Sequence, residues 1–274
     1  MKNNILNTVR NYKFAILTLT ALLLAGGASA QAQISYTSTT ATTAWNAARW
    51  NNSADGPSYT STYTANQNVS FTAGSYSFAG MGASLNVGNI TLGNNVTVNF
   101  TAGSTFATGG NVRTITLGSG STFDFNTQQM SSAAGTGIII SGSGVFGTGN
   151  YASTANAQSF TINGGTVIAR GTTGLGNGAA SVLNLNGGTL ASNGTRSFDN
   201  TRFGGGIVIG GNMQFGELST NVALADSAAS LSFANNVSLG TGVRTSPWEI
   251  MGFRPSAVSF LILPVGLLLV RTQA

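Results

Sequence analysis

The chain has 274 residues, of which 38 are Gly, only 6% are charged, and none is His or Cys. Without His and Cys the chain cannot form Ser-His-Asp or Cys-His catalytic sites, imidazole or thiolate metal sites, or disulfide bonds. Between Gln31 and Arg244 six Arg face five acids, a net charge of +1, and Lys and Arg do not cluster. Because nucleic-acid surfaces need such clusters, no nucleic-acid partner is expected.

Residues 1–30 predict a secretory signal peptide. Lys2, Arg10 and Lys13 form a basic start, and Phe14 to Leu24 are apolar. Small residues suited to cleavage follow in two places, Ala28-Ser29-Ala30 and Ala30-Gln31-Ala32. The apolar stretch is shorter than the roughly 20 residues that span a bilayer core, so a membrane anchor is the weaker interpretation. We therefore expect the protein to be exported.

A repeated pattern occupies residues 68–244, after a Ser/Thr/Asn-rich stretch over residues 31–67. Two alternating apolar residues precede a small Gly/Asn turn and a third apolar residue, and this unit recurs at intervals of roughly 22 to 25 residues. The units begin at Val69, Ile90, Ile115, Ile138, Phe160, Leu183, Ile207 and Leu231. A period of this size is typical of stacked supersecondary units, so it fixes the expected fold before any other signal.

The alternation within each unit is typical of half-buried strands, and a unit is too short for a helix with its connections. This predicts an all-β fold, a β-solenoid (parallel β-helix) whose eight coils stack at about 4.8 Å. A β-sandwich has no reason to keep one register over eight units. The predicted inward rows are Ile90, Ile115, Ile138, Phe160, Leu183, Ile207 and Leu231, and beside them Leu92, Leu117, Ile140, Ile162, Leu185, Ile209 and Phe233. Because Ile207 and Leu231 begin consecutive units, they are predicted neighbours on adjacent coils.

The chain changes character in residues 245–274. Pro247, Trp248 and Glu249 come first, and Ala257 to Val270 is almost purely apolar before Arg271. A degenerate sorting tag and a damaged reading frame are the two interpretations that we keep; a membrane span is disfavoured by its length and by an internal Pro and Gly. Because this tail offers no polar cap, we expect it to favour self-association or membrane attachment.

Two segments share Asn-Gly-Gly-Thr followed by Val or Leu: Ser159–Val167, with Ala169 after it, and Val182–Leu190. They resemble the autotransporter-associated β-strand repeat of bacterial surface proteins, closely over residues 138–195 and more loosely over 68–244. The resemblance implies a right-handed β-solenoid outside the cell, on its surface or outer membrane. It also makes residues 31–67, with Trp45, Trp50 and Pro57, an amino-terminal lead-in or cap. No translocator barrel follows the repeats, so the chain is interpreted as truncated.

A dinucleotide fingerprint, G-x-G-x-x-G, is present at Gly142-Ser143-Gly144-Val145-Phe146-Gly147. No helical pattern follows it, and the next acid is Asp199, far beyond the expected distance of about 20 residues. These are therefore predicted to be turn glycines. A phosphate loop of Walker type is excluded because no Lys follows Lys13.

The five acids between Gln31 and Arg244 are expected to be solvated on the coil surface. They are Asp55, Asp124, Asp199, Glu217 and Asp226. Asp124 stands alone in its segment, and the other close acids have offsets that do not match the coil, so neither a paired-carboxylate site nor a calcium site is expected. Arg202 and Asp226 are separated by the same interval as Ile207 and Leu231, so they are expected to pair on one face.

Asparagines recur at the turn position of the repeat, at Asn94-Asn95, Asn163, Asn186, Asn212 and Asn235-Asn236. Such a row can bind glycans through its amides, or it can satisfy backbone groups at the bends and stack on its neighbours. The bend interpretation is favoured.

These observations predict an exported structural or adhesive β-solenoid without catalytic, cofactor-binding or metal-binding residues. Cell-surface glycans or other surface proteins are the expected partners. A carbohydrate-active β-helix enzyme and a non-functional fragment of a longer autotransporter are the alternatives.

Overall fold

The computed structural model describes residues 33–36, 43–45, 50–52, 63, 65–80, 85–101, 105–126, 129–131, 136–151, 158–170, 173–176, 178–199, 201–215, 231–233, 237–238, 258–262 and 268–272. All of them belong to one compact unit, Gln33–Ala274. The predicted signal peptide lies outside the described residues. None of the described residues is helical.

The regular structure consists of short strands. In chain order they are β1 Gln33–Tyr36, β2 Thr43–Ala44, β3 Asn51–Asn52, β4 Asn68–Phe71, β5 Ser75–Gly80, β6 Leu85–Asn86, β7 Ile90–Leu92, β8 Thr97–Phe100, β9 Thr105–Ala107, β10 Val112–Leu117, β11 Thr122–Asp124, β12 Gln129–Ser131, β13 Thr136–Gly142, β14 Val145–Gly147, β15 Asn150–Tyr151, β16 Gln158–Ile162, β17 Thr166–Ala169, β18 Val182–Leu185, β19 Gly188–Ser192, β20 Arg196–Phe198, β21 Gly206–Ile209, β22 Met213–Phe215, β23 Leu231–Phe233, β24 Val237–Ser238, β25 Val258–Ile262 and β26 Leu268–Thr272.

Consecutive strands lie in different sheets, and the chain then returns to the first sheet one layer further on. A ten-stranded sheet, sheet A, has the order β24-β21-β18-β16-β13-β10-β7-β4-β1-β3. An eight-stranded sheet, sheet B, has the order β2-β5-β8-β11-β14-β17-β19-β22, and a third side holds β15-β12-β9-β6 and β20-β23. Apart from β3, the strands of sheet A pair in parallel. The predicted β-solenoid is confirmed.

The core forms because strands of sheet A such as β7, β10 and β18 turn alternate side chains inward. Ile90 and Leu92 are buried, whereas Thr91 between them is exposed. One apolar cluster runs through the coils from Trp45 to Phe215. Burial of this surface contributes roughly 25 cal/mol per Å² of apolar area and supplies the main stabilisation of the stack.

Phenylalanine rings form a continuous row inside the core. Their centroids are 5.5 Å apart between Phe78 and Phe100, 5.2 Å between Phe100 and Phe125, and 5.7 Å between Phe125 and Phe146. Phe123 stacks on Phe146 at 6.0 Å with an interplanar angle of 2°. Neighbouring coils are thus joined by ring contacts as well as by backbone hydrogen bonds.

The predicted register is wrong by two residues between β10 and β13. Ile115 pairs with Ile140, and Arg113 takes the place beside Ile138 that we predicted for Ile115. The cause is the corner between sheets A and B. Four residues, 118–121, separate β10 from β11, but only Ser143 and Gly144 separate β13 from β14. The shorter corner moves β13 by two residues relative to β10. The sequence does not reveal this shift, because Ile138 and Ile140 are both apolar and either could lie beside Ile115.

The predicted pairing of Ile207 with Leu231 is also wrong. Ile207 pairs with Val237 instead, and Leu231 pairs with Arg196. The strand that begins at Leu231 therefore lies on the third side of the coil, not in sheet A. The two segments look alike in sequence because every strand of a solenoid alternates in the same way, whichever side it forms.

Two tryptophans from the predicted lead-in fill the amino-terminal part of the core. Trp45 and Trp50 are both 0% exposed, and their ring centroids are 4.7 Å apart. Trp50 Nε1 donates a hydrogen bond of 2.6 Å to the Trp45 carbonyl. At the same amino-terminal end of the stack, β3 pairs antiparallel with β1.

Within the apolar tail, β25 and β26 pair with each other antiparallel, with Val258 opposite Thr272 and Ile262 opposite Leu268. No helix among the described residues is long and apolar enough to cross a membrane. The tag and damaged-frame interpretations of this tail remain predictions.

Candidate functional site

The outward side of sheet A carries two columns of small polar side chains. We call this set the polar face: Asn89, Thr91, Thr114, Thr116, Ser141, Thr161, Asn163, Asn184 and Asn186. Thr91, Thr116 and Ser141 follow one another in register, as do Thr161 and Asn184. The named side chains are hydroxyls and amides without charge, and successive strands lie about 4.8 Å apart. The column that holds Thr114 and Thr161 is interrupted by the half-buried Ile139, which pairs with both.

Hydrogen bonds along the columns hold these side chains in place. Thr116 Oγ1 and Ser141 Oγ are 3.2 Å apart, and Asn184 Nδ2 donates to Thr161 Oγ1 at 3.2 Å. Asn89 Oδ1 accepts from the Thr114 backbone N–H at 2.9 Å. Each contact joins neighbouring coils, so the face is ordered without a ligand and would lose little side-chain entropy on binding one.

The turn asparagines satisfy backbone and side-chain groups at the bends, as predicted. Asn94 Oδ1 accepts from the Ser119 backbone N–H at 2.9 Å, and Asn95 has a φ of 58° in the left-handed region. Asn186 Nδ2 donates to Asn163 Oδ1 at 3.0 Å, one coil away. Asn235 and Asn236 lie outside the described residues. Because Asn163 and Asn186 are also exposed members of the polar face, the bend role leaves part of their amide capacity for contacts.

The prediction that Asp124 is a solvated surface acid is wrong. Asp124 is 9% exposed, and Arg170, two coils further on, forms an ion pair with it at 2.6 Å between Nη1 and Oδ1. Arg170 Nη2 also donates to Asp124 Oδ2 at 2.9 Å, and the Asn126 backbone N–H donates to Oδ1 at 2.8 Å. The Asp124 carboxylate is thus held by one guanidinium and one backbone N–H.

Gly147 makes this ion pair possible. A Cβ at Gly147 would lie 2.6 Å from Asp124 Oδ1 and 3.5 Å from Arg170 Cζ. Gly147 is also the last glycine of the G-x-G-x-x-G match. Gly142 has a φ of +94° and ends β13, and Gly144 lies in the corner before β14, so these two glycines are at the turn as predicted, whereas Gly147 is the last residue of β14.

Arg196 is fixed one coil beyond Arg170. Its Nε donates to the Ala169 carbonyl at 3.3 Å, and its Nη2 donates to the Arg170 carbonyl and, at 2.8 Å, to Asn193 Oδ1. Burial lowers the pKa of Arg196, but an arginine remains charged in this setting. The guanidinium thus caps backbone carbonyls at the corner after β17.

Arg202 finds a partner within its own coil. Its Nη1 lies 3.4 Å from Asp199 Oδ2, and both side chains are partly exposed. The Thr201 hydroxyl, which donates to Asp199 Oδ1 at 2.5 Å, is the main cause that lowers the pKa of Asp199. Asp226, the predicted partner of Arg202, lies outside the described residues, so that pairing remains a prediction.

A second polar cluster, missed by the sequence analysis, surrounds Arg113 inside the stack. Arg113 is 7% exposed and donates to the Thr108 carbonyl at 3.1 Å and to Asn66 Oδ1 at 2.6 Å. Nearby, Tyr63 donates its hydroxyl proton to the Gln67 carbonyl at 2.8 Å. Burial raises the pKa of Tyr63 to about 12. Every contact here is internal, which is typical of a structural cluster.

In the part of the chain that the structure describes, no three His, Cys, Asp or Glu residues come close enough to hold a metal ion. Asp55, Glu217 and Asp226 lie outside that part. No known protein family, curated protein or solved structure matches this chain.

Proposed function

We propose that the protein is an exported β-solenoid of the bacterial surface or the extracellular space, with a structural or adhesive role and no catalysis. The observation that carries this proposal is the polar face, an ordered and uncharged set of hydroxyls and amides on successive coils that Ile139 interrupts. Such a surface is suited to many shallow hydrogen bonds with an extended partner that has its own repeat. The basic start and apolar run within residues 1–30 support the export part of the proposal.

The chemistry of the polar face favours a neutral partner. A polyanion would need Arg or Lys on the contact surface, and a polycation would need acids, but the nine side chains offer neither. Surface glycans rich in hydroxyls are the partner class that fits best. The resemblance to autotransporter-associated repeats supports this proposal, because such repeats occur in bacterial surface proteins.

The enzyme alternative has less support. A glycan-cleaving solenoid needs two acids, or an acid with a metal, held within several ångströms of each other. Of the acids that the structure describes, Asp124 is paired with Arg170 and Asp199 with Arg202. Both pairs favour a structural role for these carboxylates.

The proposal is tested by co-sedimentation of the mature protein with insoluble neutral polysaccharides, cellulose and chitin, and with an acidic one, pectin. We expect binding to the neutral polymers. Thr116→Lys combined with Asn163→Lys should reduce that binding about tenfold, because the two ammonium groups interrupt the face. Ser119→Lys with Ser197→Lys is the matched control, since both serines are exposed outside the face. Equal loss in both variants, or binding to pectin alone, would contradict the proposal.

A further inference from the structure

Three Asn-Gly pairs lie wholly within the described residues, and one of them has different surroundings from the other two. They are Asn163-Gly164, Asn186-Gly187 and Asn193-Gly194. An Asn-Gly pair is chemically labile, because the glycine nitrogen can attack the asparagine Cγ when no side chain blocks its approach. The surroundings of each pair decide how fast this happens.

The pairs at Asn163 and Asn186 are held by ladder contacts. Asn186 Nδ2 donates to Asn163 Oδ1 at 3.0 Å, which engages both side-chain amides. The Gly187 backbone N–H, which would attack Cγ of Asn186, donates instead to the Ile162 carbonyl at 3.1 Å. Attack at Asn186 would require the Gly187 bond to open first, and local opening of a packed coil costs free energy. At Asn163 the donor to Oδ1 is a neutral amide, which stabilises a developing negative charge less than a guanidinium does.

The pair at Asn193 lies in the bend between β19 and β20, where Asn193 is exposed. Here the side-chain oxygen points to a cation: Arg196 Nη2 donates to Asn193 Oδ1 at 2.8 Å. The same guanidinium lies against the backbone of Gly194, since a Cβ there would be 3.1 Å from Nη1 and 3.3 Å from Nη2. Arg196 is itself held by the Ala169 and Arg170 carbonyls, so its position does not depend on Asn193.

We propose that Asn193 is a site of spontaneous deamidation, and that Arg196 promotes the reaction by stabilising the negative charge that develops on Asn193 Oδ1. The Gly194 backbone nitrogen bonds to Cγ and gives up its proton, and the carbonyl oxygen becomes an oxyanion in the tetrahedral intermediate. The bond from Cγ to Nδ2 then breaks, and ammonia leaves with the proton. Water opens the resulting succinimide at either carbonyl, giving aspartate or isoaspartate and releasing one proton.

The physical basis is that of an oxyanion hole. A fixed hydrogen-bond donor aimed at the developing charge lowers the barrier, by roughly a hundredfold or more in rate at buried enzyme sites. At this solvated bend the effect is smaller, about tenfold, because water screens the charge. The product carboxylate would face Arg196, so the modified bend would gain an ion pair and the chain would lose one unit of positive charge.

The test follows deamidation of the mature chain at mildly alkaline pH by peptide mapping with mass spectrometry. We expect Asn193 to react faster than Asn163 and Asn186, and Arg196→Gln to slow Asn193 about tenfold. The other two sites are internal controls, because loosening of the stack would raise their rates as well. If Arg196→Gln raises the rates at Asn163 and Asn186, the variant has loosened the stack, and Arg196→Lys is used in its place. Lysine keeps a cation, so the rate at Asn193 should lie between those of the wild type and the Gln variant.

A second comparison removes the fold altogether. In concentrated urea the three sites lose their different surroundings, and their rates should converge. Refolding should then slow Asn163 and Asn186 and leave Asn193 at least as fast as in urea. An Asn193 that is slower in the folded chain than in urea, or a rate unchanged by both Arg196 variants, would overturn the proposal.

Discussion

Arg170 and Asp124 pair at 2.6 Å although 46 residues separate them in the chain. The guanidinium reaches back over Gly147, which lies one coil away from each of them, and the glycine's missing side chain leaves the space for this contact. The pair therefore joins three successive coils at one corner. Because both side chains are only 12 to 13% exposed, loss of one partner would leave the other charge poorly solvated.

Breaking this pair should destabilise the solenoid. Asp124→Asn leaves a largely buried guanidinium without its anion and should lower the free energy of unfolding by about 2 kcal/mol. Arg170→Gln alone should have a similar effect, and the double variant should cost less than the sum of the two. Urea unfolding monitored by circular dichroism measures all three. Strict additivity would show that the two side chains do not interact.

Gly147→Ala should disturb the same corner. The new methyl group would lie 2.6 Å from Asp124 Oδ1, so the carboxylate must move, at an expected cost of about 1 to 3 kcal/mol. Gly110→Ala is the informative comparison, because a Cβ there meets nothing within 4 Å, although its φ of +79° brings a strain of its own. If Asp124→Asn removes none of the cost of Gly147→Ala, the contact with the carboxylate is not its cause.

The corrected register is testable with engineered disulfides, because the chain has no native cysteine. Val208 and Ser238 are direct partners in sheet A, so cysteines at these two positions should cross-link under mild oxidation. Cysteines at Val208 and Ser232 should not, since Ser232 pairs with Ser197 on the third side. Mobility on non-reducing gels, before and after proteolysis between the two positions, reads out both results. Cross-linking of the second combination alone would restore the register predicted from the sequence.

Tyr63 should give the stability an alkaline dependence. Its pKa is about 12 in the folded chain and about 10 when unfolded, so the unfolded state releases its proton first as pH rises. The stability due to neutral Tyr63 is therefore complete below pH 10 and is lost between about pH 10 and 12. Unfolding at several pH values, compared with Tyr63→Phe, isolates this contribution. A Phe variant with the same pH slope as the wild type would show that other groups cause it.

Phe123 should be one of the most sensitive core positions. It is 0% exposed and contacts Phe100, Phe125 and Phe146 within 6.0 Å. Phe123→Ala should cost about 3 to 5 kcal/mol, and Phe123→Leu about 1.5 kcal/mol or less, because the leucine refills most of the cavity. Thermal unfolding gives the two values. Similar costs for both substitutions would mean that ring stacking, not volume, dominates at this position.

The fold was predictable because strands such as β7, β10 and β18 follow one rule: inward residues such as Ile90, Ile115 and Leu185 are apolar, and the residues beside them are polar. Coil lengths were not predictable. The corner shortened to Ser143 and Gly144 shifts the register by two residues. Because alternation has a period of two, the apolar pattern of β13 fits β10 both with and without this shift.

The polar contacts were harder still to predict. The interval between Asp124 and Arg170 is two coil periods, with Gly147 midway, so a search at twice the period would have found the pair. The burial of Arg113 could not be predicted from a spacing of this kind. It depends on a two-residue register shift that brings a cation to a row otherwise filled by Ile138, Phe160 and Leu183.

The short strand β3 makes the amino-terminal edge of sheet A different from the rest of the sheet. It runs opposite to β1 and covers the outer edge of sheet A with only two residues, Asn51 and Asn52. A second rod that arrives at this edge meets a reversed and very short strand, which cannot continue the parallel hydrogen-bonding pattern. We therefore expect a second copy of the chain to add poorly at this edge, which limits end-to-end growth of the stack there.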